Sequence, residues 1–212
     1  MRAPTTLAAT AIATSAALLL SACGGSTPPS DKIVGAQGPA SASPSSSPSS
    51  TINRPTFTFP PDMKYVFEGG STGDSVKDQI LSDNEQRIKS LDYAVITDDI
   101  KSPGLLFYSY GDALTSGYYW VKQELDGGYT LTGTSRYYDR NVVSVDGNSA
   151  IISYCLDQSQ EFGKVRKTGQ VLKTPTTPKS FDLFNVNMQK NTAGVWQATR
   201  VESFAGEPKC QP

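Results

Sequence analysis

The chain has 212 residues, and its 19 basic and 20 acidic side chains leave a net charge of −1. A charge this close to zero gives no electrostatic basis for binding nucleic acid. No histidine is present, so the commonest general acid–base residue and the commonest metal ligand are both missing. We therefore expect neither a metal site nor a cofactor, and any catalysis would depend on carboxylates, Tyr, Lys or Ser.

The N-terminal segment begins with Arg2 and continues as an apolar run from Leu7 to Leu20. The run is shorter than the roughly 20 apolar residues of a membrane-spanning helix. It ends in Leu20-Ser21-Ala22-Cys23, which resembles the bacterial lipobox at all four positions. The resemblance implies that residues 1–22 are a lipoprotein signal peptide and that Cys23 carries a lipid on the outer face of the bacterial cell membrane. The alternative is an ordinary secretory signal cut near Ala22.

Residues 24–56 are of low complexity, since 19 of them are Ser, Pro or Gly and none is aromatic. Such a composition cannot bury enough apolar surface to offset the entropy of ordering. We predict a disordered tether over residues 23–56, stiffened by Ser-Pro repeats. It joins the lipid anchor to one folded domain, residues 57–212, which holds all 20 aromatic residues of the chain.

Two helical stretches are predicted at the start of this domain. The first runs from about Asp74 to Val95 and begins with Ser75-Val76-Lys77-Asp78, which has capping-box form. The second runs from Pro103, which suits a helix start, to Leu125, and Gly111 divides it. Each stretch has an apolar face at helical spacing, and in the first stretch we expect the charged residues on the opposite face. The apolar faces consist of Val76, Ile80, Ile88, Leu91 and Val95 in the first stretch and of Leu106, Tyr110, Leu114, Gly117 and Val121 in the second.

Past Gly127-Gly128 the apolar residues alternate, which is typical of strands. We predict a hairpin with its turn at Asp146-Gly147, followed by two more strands joined around Asn191–Gly194. Helices followed by an antiparallel meander predict an α+β fold in which the sheet wraps the helices. The four predicted strands are Tyr129–Val145, Ser149–Asp157, Phe181–Gln189 and Val195–Phe204.

Three cysteines are present, Cys23, Cys155 and Cys210. If Cys23 carries lipid, the other two remain as a pair in an exported, oxidising setting, where disulfides persist. The alternative is two unpaired buried thiols.

Short motifs follow one another in the strand region: Leu131-Thr132-Gly133, Val142-Val143-Ser144-Val145-Asp146-Gly147, Ala150-Ile151-Ile152-Ser153-Tyr154-Cys155-Leu156-Asp157, Thr168-Gly169, Trp196 and Cys210. Their order resembles the C-terminal part of an actinobacterial lipoprotein family with a nuclear transport factor 2-like, cystatin-like cone domain. The resemblance implies N-terminal helices packed on a curved antiparallel sheet. It also implies a Cys155–Cys210 bond that holds the C-terminal tail against a central strand.

Gly69-Gly70-Ser71-Thr72-Gly73 has the G-x-S-x-G spacing of a nucleophile elbow. That motif needs a base to activate the serine, and the Ser-His-Asp mechanism is excluded because the chain has no histidine. We interpret the segment as a flexible turn that leads into a helix.

A basic run with no acidic residue between Glu161 and Asp182 has two interpretations. It could contact an anionic envelope polymer or lipid headgroups, or it could be a solvated loop between strands. The loop is favoured because Pro175 and Pro178 interrupt the run, which consists of Lys164, Arg166, Lys167, Lys173 and Lys179.

Aromatic residues could line a ligand cavity between helices and sheet, or they could fill the core. The candidates for lining are Tyr108, Tyr110, Tyr118, Trp120, Tyr154 and Trp196. Proteins with this cone fold also include ketosteroid isomerase-like and polyketide cyclase-like enzymes, which place an acidic base in an apolar pocket. Ketosteroid isomerase is a standard case of carboxyl groups whose pKa values are set by their surroundings. Asp112 and Asp157 are the carboxylates nearest to aromatic segments, although a cap or a strand end explains both.

We favour a non-enzymatic envelope lipoprotein whose domain binds an envelope partner or supports assembly. This hypothesis predicts no deeply buried carboxylate with a strongly perturbed pKa. The first alternative is a lipoprotein that binds a small molecule, which predicts a tyrosine-lined cavity of at least about 300 Å³. The second is an enzyme that uses Asp112 or Asp157.

Replacing Cys23 with Ser tests the anchor, because the hydroxyl cannot form the thioether to the lipid. We expect the variant to lose labelling by a fatty-acid probe and to appear in the culture medium. A Cys155→Ser variant serves as a control that keeps Cys23. Continued membrane association of the Cys23→Ser protein would contradict the assignment.

Overall fold

The computed structural model describes residues 52–212. The predictions for the signal peptide, for Cys23 and for nearly all of the tether lie outside the described residues. The described chain forms three helices and six strands in the order β1 (Met63–Phe67), α1 (Ser75–Thr97), α2 (Pro103–Tyr108), α3 (Gly111–Asp126), β2 (Tyr129–Asp146), β3 (Ser149–Val165), β4 (Val171–Leu172), β5 (Phe181–Lys190) and β6 (Trp196–Ala205).

The predicted α+β class is confirmed, because the helices pack on a curved sheet. The strand order is β1-β2-β3-β5-β6, with the short β4 paired to the end of β3. All pairs are antiparallel except β1 with β2, which is parallel. The sheet is therefore mixed. Strand β1 was not predicted from the sequence, because an alternation over five residues is too short to distinguish a strand from a loop.

Helix α1 begins at Ser75, and its N-cap is Asp74, one residue before the Ser75 that the capping-box motif predicted as the cap. The Asp74 side chain accepts hydrogen bonds from the backbone N–H groups of Val76 and Lys77, as an N-cap carboxylate does. Asp78 instead accepts from the backbone N–H and the hydroxyl of Thr72.

The predicted division at Gly111 is confirmed, because α3 starts there with a positive φ of 57°. Gly117 and Val121 are buried as predicted, but Leu106 and Tyr110 are 58% and 66% exposed. These two residues do not continue the apolar face because α2 and α3 are separate helices, with an extended backbone at Ser109 and Tyr110 between them.

Strands β2 and β3 begin as predicted and extend past their predicted C-terminal ends, to Asp146 and Val165. The turn between them is Gly147-Asn148 rather than Asp146-Gly147, since Asp146 pairs with Ser149. Register shifts interrupt the β2–β3 pairing, the first between Thr134 and Arg136. Such bulges bend a strand and re-aim side chains. Gly133 beside this bulge has a φ of 106°, and a Cβ there would stand 2.0 Å from the backbone oxygen of Gln160, so the bend requires glycine.

Helix α1 is buried along most of its circumference, and polar side chains are among its buried residues. Asp83 accepts from the Arg54 guanidinium and, at 2.9 Å, from the backbone N–H of Trp196. This carboxylate therefore joins the segment before β1 to α1 and to the start of β6. Because a buried charge without its partner is costly, this contact stabilises the packing of three separate parts of the chain.

The predicted Cys155–Cys210 disulfide is present, with 5.5 Å between the Cα atoms. Both residues are fully buried on the sheet face opposite the helices, in a cluster with Phe181 and Leu183. The hydroxyl of Tyr138 donates to the backbone oxygen of Cys210. The bond therefore attaches the C-terminal turn to the central strand β3.

Replacing Cys155 and Cys210 together with Ser should lower the free energy of unfolding by about 2–5 kcal/mol, because the unfolded chain loses a constraint. Urea unfolding without reductant measures the change, with Cys23→Ser as the matched control that keeps the pair. Two additional free thiols in the denatured wild-type chain, measured without reductant, would contradict the assignment.

Candidate ligand cavity

A cavity of about 430 Å³ lies between the helices and the inner face of the sheet. Helices α1 and α3 contribute one wall, and strands β2, β3, β5 and β6 contribute the other. Its exposed members, Ser116 on α3 and Ser203 on β6, lie at the rim. The lining residues of the interior are mostly buried, so the cavity opens at one side of the helix–sheet interface.

Aromatic and aliphatic side chains form most of the wall. Tyr154 stacks on Phe184 with ring centroids 5.2 Å apart, and the Tyr137 ring stands edge-on to Tyr154 at 6.0 Å. Ile88, Leu91 and Trp120 line the helical side. Burial raises the pKa of Tyr154 to about 12, so its hydroxyl keeps its proton at neutral pH.

Of the six aromatic residues predicted to line a cavity, Trp120 and Tyr154 do so. Tyr108 is buried against Phe57, and Trp196 is buried in the main core. Tyr118 packs among the helices, and Tyr110 is exposed. Tyr137 and Phe184, which lie on β2 and β5, complete the aromatic wall and were not among the six.

Arg87 on α1 reaches into this cavity and is only 4% exposed. Its Nε has no hydrogen-bond partner, and no ion pair within 4.0 Å involves Arg87 among residues 52–212. Burial lowers the pKa of the Arg87 guanidinium, yet a guanidinium remains protonated in proteins. The cavity thus contains a buried positive charge that no neighbouring carboxylate pairs with directly.

Two carboxyls line the same cavity, the buried Asp92 on α1 and the half-buried Glu161 on β3. Burial and the proximity of Glu161 raise the pKa of Asp92 well above its usual value. Burial also raises the pKa of Glu161, although Ser135 at the β2 bulge donates a hydrogen bond to it. Like charges this close in a desolvated site disfavour double ionisation, so the pair retains a proton above the usual range of carboxyl titration.

The polar rim is formed by Gln158 and Asp182, whose side chains are joined by a 3.0 Å hydrogen bond from the amide to the carboxylate. Partial burial raises the pKa of Asp182. Its second oxygen has no partner. Asp182 therefore presents an unpaired hydrogen-bonding atom in the cavity wall.

The two carboxylates proposed from sequence lie outside the cavity. Asp112 is exposed in the first turn of α3, and Asp157 accepts a hydrogen bond from the backbone N–H of Ser159. The acids in the cavity wall are Asp92, Glu161 and Asp182 instead. Asp92 directly follows Leu91 of the predicted apolar face of α1, and this position could have indicated burial. Proximity to aromatic segments instead selected only Asp112 and Asp157 from the sequence.

The remaining motifs have structural roles. Ser71 is exposed in the turn before α1. Within the basic run, Lys164 forms an ion pair with Asp62 at 2.7 Å, and Arg166 donates to the backbone oxygens of Val95, Ile96 and Tyr129. Both side chains thus fasten the end of β3 to neighbouring elements, while Lys167, Lys173 and Lys179 are exposed.

Residues 52–212 contain no group of three or more acidic or cysteine side chains arranged to hold a metal ion. None of their helices has the length and apolar character needed to cross a membrane.

No protein-family model matches the sequence, and no curated protein matches it. Solved structures resemble the fold at low similarity. A ketosteroid isomerase-like protein from Erwinia carotovora atroseptica is 17% identical with a TM-score of 0.42, and the match covers 64% of this chain and 99% of that one. The intermembrane-space region of the chloroplast protein ARC6 is 18% identical with a TM-score of 0.41, over 61% of this chain and 95% of that one. A structure described as a putative aromatic ring hydroxylase from Novosphingobium aromaticivorans is 14% identical with a TM-score of 0.40, over 62% and 91%.

The raised pKa values of Asp92 and Glu161 predict that stability falls as pH rises. The folded state holds protons that the unfolded chain releases above about pH 4, so this contribution is present in acid and is lost as pH rises through the folded-state pKa values. Glu124 also faces Glu161, while Arg87 and Tyr65 face Asp92. We expect the urea unfolding free energy to be lower at pH 8 than at pH 5.

Replacing Asp92 with Asn removes one of the two acids and should reduce this fall, because the amide does not titrate and the charge on Glu161 loses its acidic neighbour. Asp112→Asn is the matched control on an exposed carboxylate. Equal pH dependence of the Asp92→Asn variant and the wild type would contradict the assignment.

Proposed function

We propose that this domain binds a small molecule in the cavity between α1, α3 and the sheet. The observation that carries the proposal is a 430 Å³ cavity lined by buried groups whose polar atoms lack partners, namely Arg87 and Asp92. Its volume lies within the range of about 300–1,000 Å³ that is usual for ligand sites, and its apolar wall with few polar groups is typical of them.

Burial of these polar groups argues for a ligand over a purely structural role. A domain that serves only in assembly gains nothing from an unpaired guanidinium or a carboxyl with a raised pKa inside its interior, because each costs free energy of folding. The hypothesis of a partner-binding or assembly domain predicted no such carboxyl. Asp92 has this character, so we now favour the small-molecule hypothesis.

We further propose that the chain works as a lipoprotein anchored through Cys23 to the outer face of a bacterial cell membrane. The support is the Leu20-Ser21-Ala22-Cys23 sequence together with the disulfide, which is typical of exported proteins. An envelope protein or an anionic envelope polymer is the alternative partner, and the exposed Lys167, Lys173 and Lys179 are the side chains available to it.

A proton-transfer enzyme is a second candidate, which the Asp92–Glu161 pair specifically favours. A carboxyl with a raised pKa beside an apolar cavity has the properties of a general acid or base near neutral pH. We propose binding without turnover as the primary function. If the protein converts its bound ligand chemically, and if this conversion is lost in both Asp92→Asn and Glu161→Gln, the enzyme function would be established instead.

Filling the cavity tests the binding function. Val201 lies in the cavity wall, so a Val201→Trp variant should exclude the ligand, whereas Val143→Trp places the same side chain at an exposed position. The full-length protein is purified from the cell envelope of the bacterium that produces it. We expect native mass spectrometry of this protein to detect a bound small molecule. That adduct should persist in Val143→Trp and be lost in Val201→Trp.

Thermal unfolding of both variants shows whether each one folds. Equal ligand occupancy in the wild type and a folded Val201→Trp protein would contradict the proposal. An adduct-free wild type that also binds no aromatic probe would do so as well.

A further inference from the structure

We propose that the ligand of this cavity is an aromatic carboxylate, held by an ion pair between its carboxylate group and Arg87. This inference rests on the proposed binding function and adds the chemical class of the ligand. It follows from three features of the cavity: its buried cation, the proton retained by the two neighbouring acids, and the aromatic wall.

Arg87 is a charge that the described protein leaves without a direct partner. Its exposed fraction is 4%, its Nε makes no hydrogen bond, and the ion pairs found among residues 52–212 involve other residues. By contrast, the buried Arg140 pairs with Glu85 at 2.7 Å and donates to the backbone oxygen of Leu81. A desolvated guanidinium is costly unless it is paired, so an anion bound to Arg87 recovers free energy that folding has already lost.

The acids of the cavity do not supply that anion. Asp92 lies on the same helix as Arg87 but does not reach ion-pair distance, and one of its oxygens has no partner. Burial and Glu161 favour the protonated form of Asp92, whereas Tyr65 and Arg87 favour its ionised form to a smaller extent. A protonated carboxyl is a hydrogen-bond donor, so the proton that the Asp92–Glu161 pair retains weakens its repulsion of an anion bound at Arg87.

The rest of the wall suits a flat, apolar body. Tyr137, Tyr154 and Phe184 form a continuous set of rings on the sheet side, and Trp120 faces them from α3. Offset-stacked and edge-to-face contacts between rings add to the free energy of apolar burial. An aromatic ring therefore fits this wall, with an acidic group directed at Arg87.

The charge on the ligand is limited by the surrounding acids. Asp92, Glu161 and the rim carboxylate Asp182 all line the cavity, and a dianion would repel whichever of them is ionised. A carboxylate carries one negative charge and matches the planar guanidinium with two parallel hydrogen bonds. These facts favour a carboxylate over a phosphate.

The test compares naphthalene-1-acetate with naphthalene-1-ethanol, which share the ring and differ in the charged group. Isothermal titration calorimetry of the full-length protein at pH 7 measures both dissociation constants. We expect the acid to bind about 10- to 100-fold more tightly than the alcohol, because this ratio corresponds to the free energy of hydrogen bonds to a buried charge. Arg87→Met should abolish this preference, and Arg87→Lys should restore part of it, because an ammonium keeps the charge and loses the two-point geometry.

Arg200→Met is the matched control, since Arg200 lies on β6 with an exposed side chain that pairs with Glu202. It should bind both probes as the wild type does. Near-UV circular dichroism establishes that each variant is folded. If Arg87→Met does not fold, the two probes are compared on the wild type and on Arg87→Lys, and equal binding of acid and alcohol to the wild type still contradicts the proposal.

Equal binding of acid and alcohol to the wild type, or an acid preference that persists in a folded Arg87→Met protein, would overturn the inference and leave the cavity function standing. Tighter binding of naphthyl phosphate than of the acetate would overturn the assignment to a carboxylate. Failure of every probe to bind, with no adduct in the envelope-purified protein, would overturn the proposed function itself.

Discussion

The burial of α1 on nearly all sides is the constraint on which the rest of the domain depends. A helix that lies on a sheet and is covered by α2 and α3 has little solvent-facing surface, so its polar residues must be paired within the protein or face a cavity. Asp83 meets this requirement through Arg54 and the backbone N–H of Trp196. Arg87 and Asp92, farther along the helix, face the cavity instead. One helix therefore provides both the main internal contact of the fold and the polar groups of the candidate site.

The sheet contributes to the site through its irregularities. A regular β2–β3 ladder would continue the pairing from Thr134, but the register shift leaves Ser135 to donate to Glu161. Gly133 makes the bend feasible because no other residue fits against the backbone of Gln160. The bulge thus orients one of the two acids, while the disulfide and the C-terminal turn stabilise the opposite face of the sheet. The outer face is held by covalent and apolar contacts, and the inner face keeps space for a ligand.

The arrangement of charge in the cavity connects stability with binding. An unpaired guanidinium and a coupled pair of carboxyls both oppose folding, and a bound anion offsets the first of these costs because it binds the folded state alone. A domain built in this way is expected to gain stability from its ligand. This connection is the physical basis for preferring a binding function over a role in assembly.

The sequence alone determined the class of the fold, the helix boundaries to within a few residues and the division at Gly111, and it predicted the pairing of Cys155 with Cys210 with two unpaired thiols as the alternative. These features depend on local periodicity, on caps and breakers and on a cysteine count, all of which can be read along the chain. Only the tertiary structure decided which polar side chains are buried. Arg87 and Asp92 lie on a helix whose charges were expected to face solvent, and Glu161 lies in the part of β3 that was not predicted as strand. They meet because α1 is enclosed by distant segments and because a bulge reorients β2, and neither fact has a local signature in the sequence.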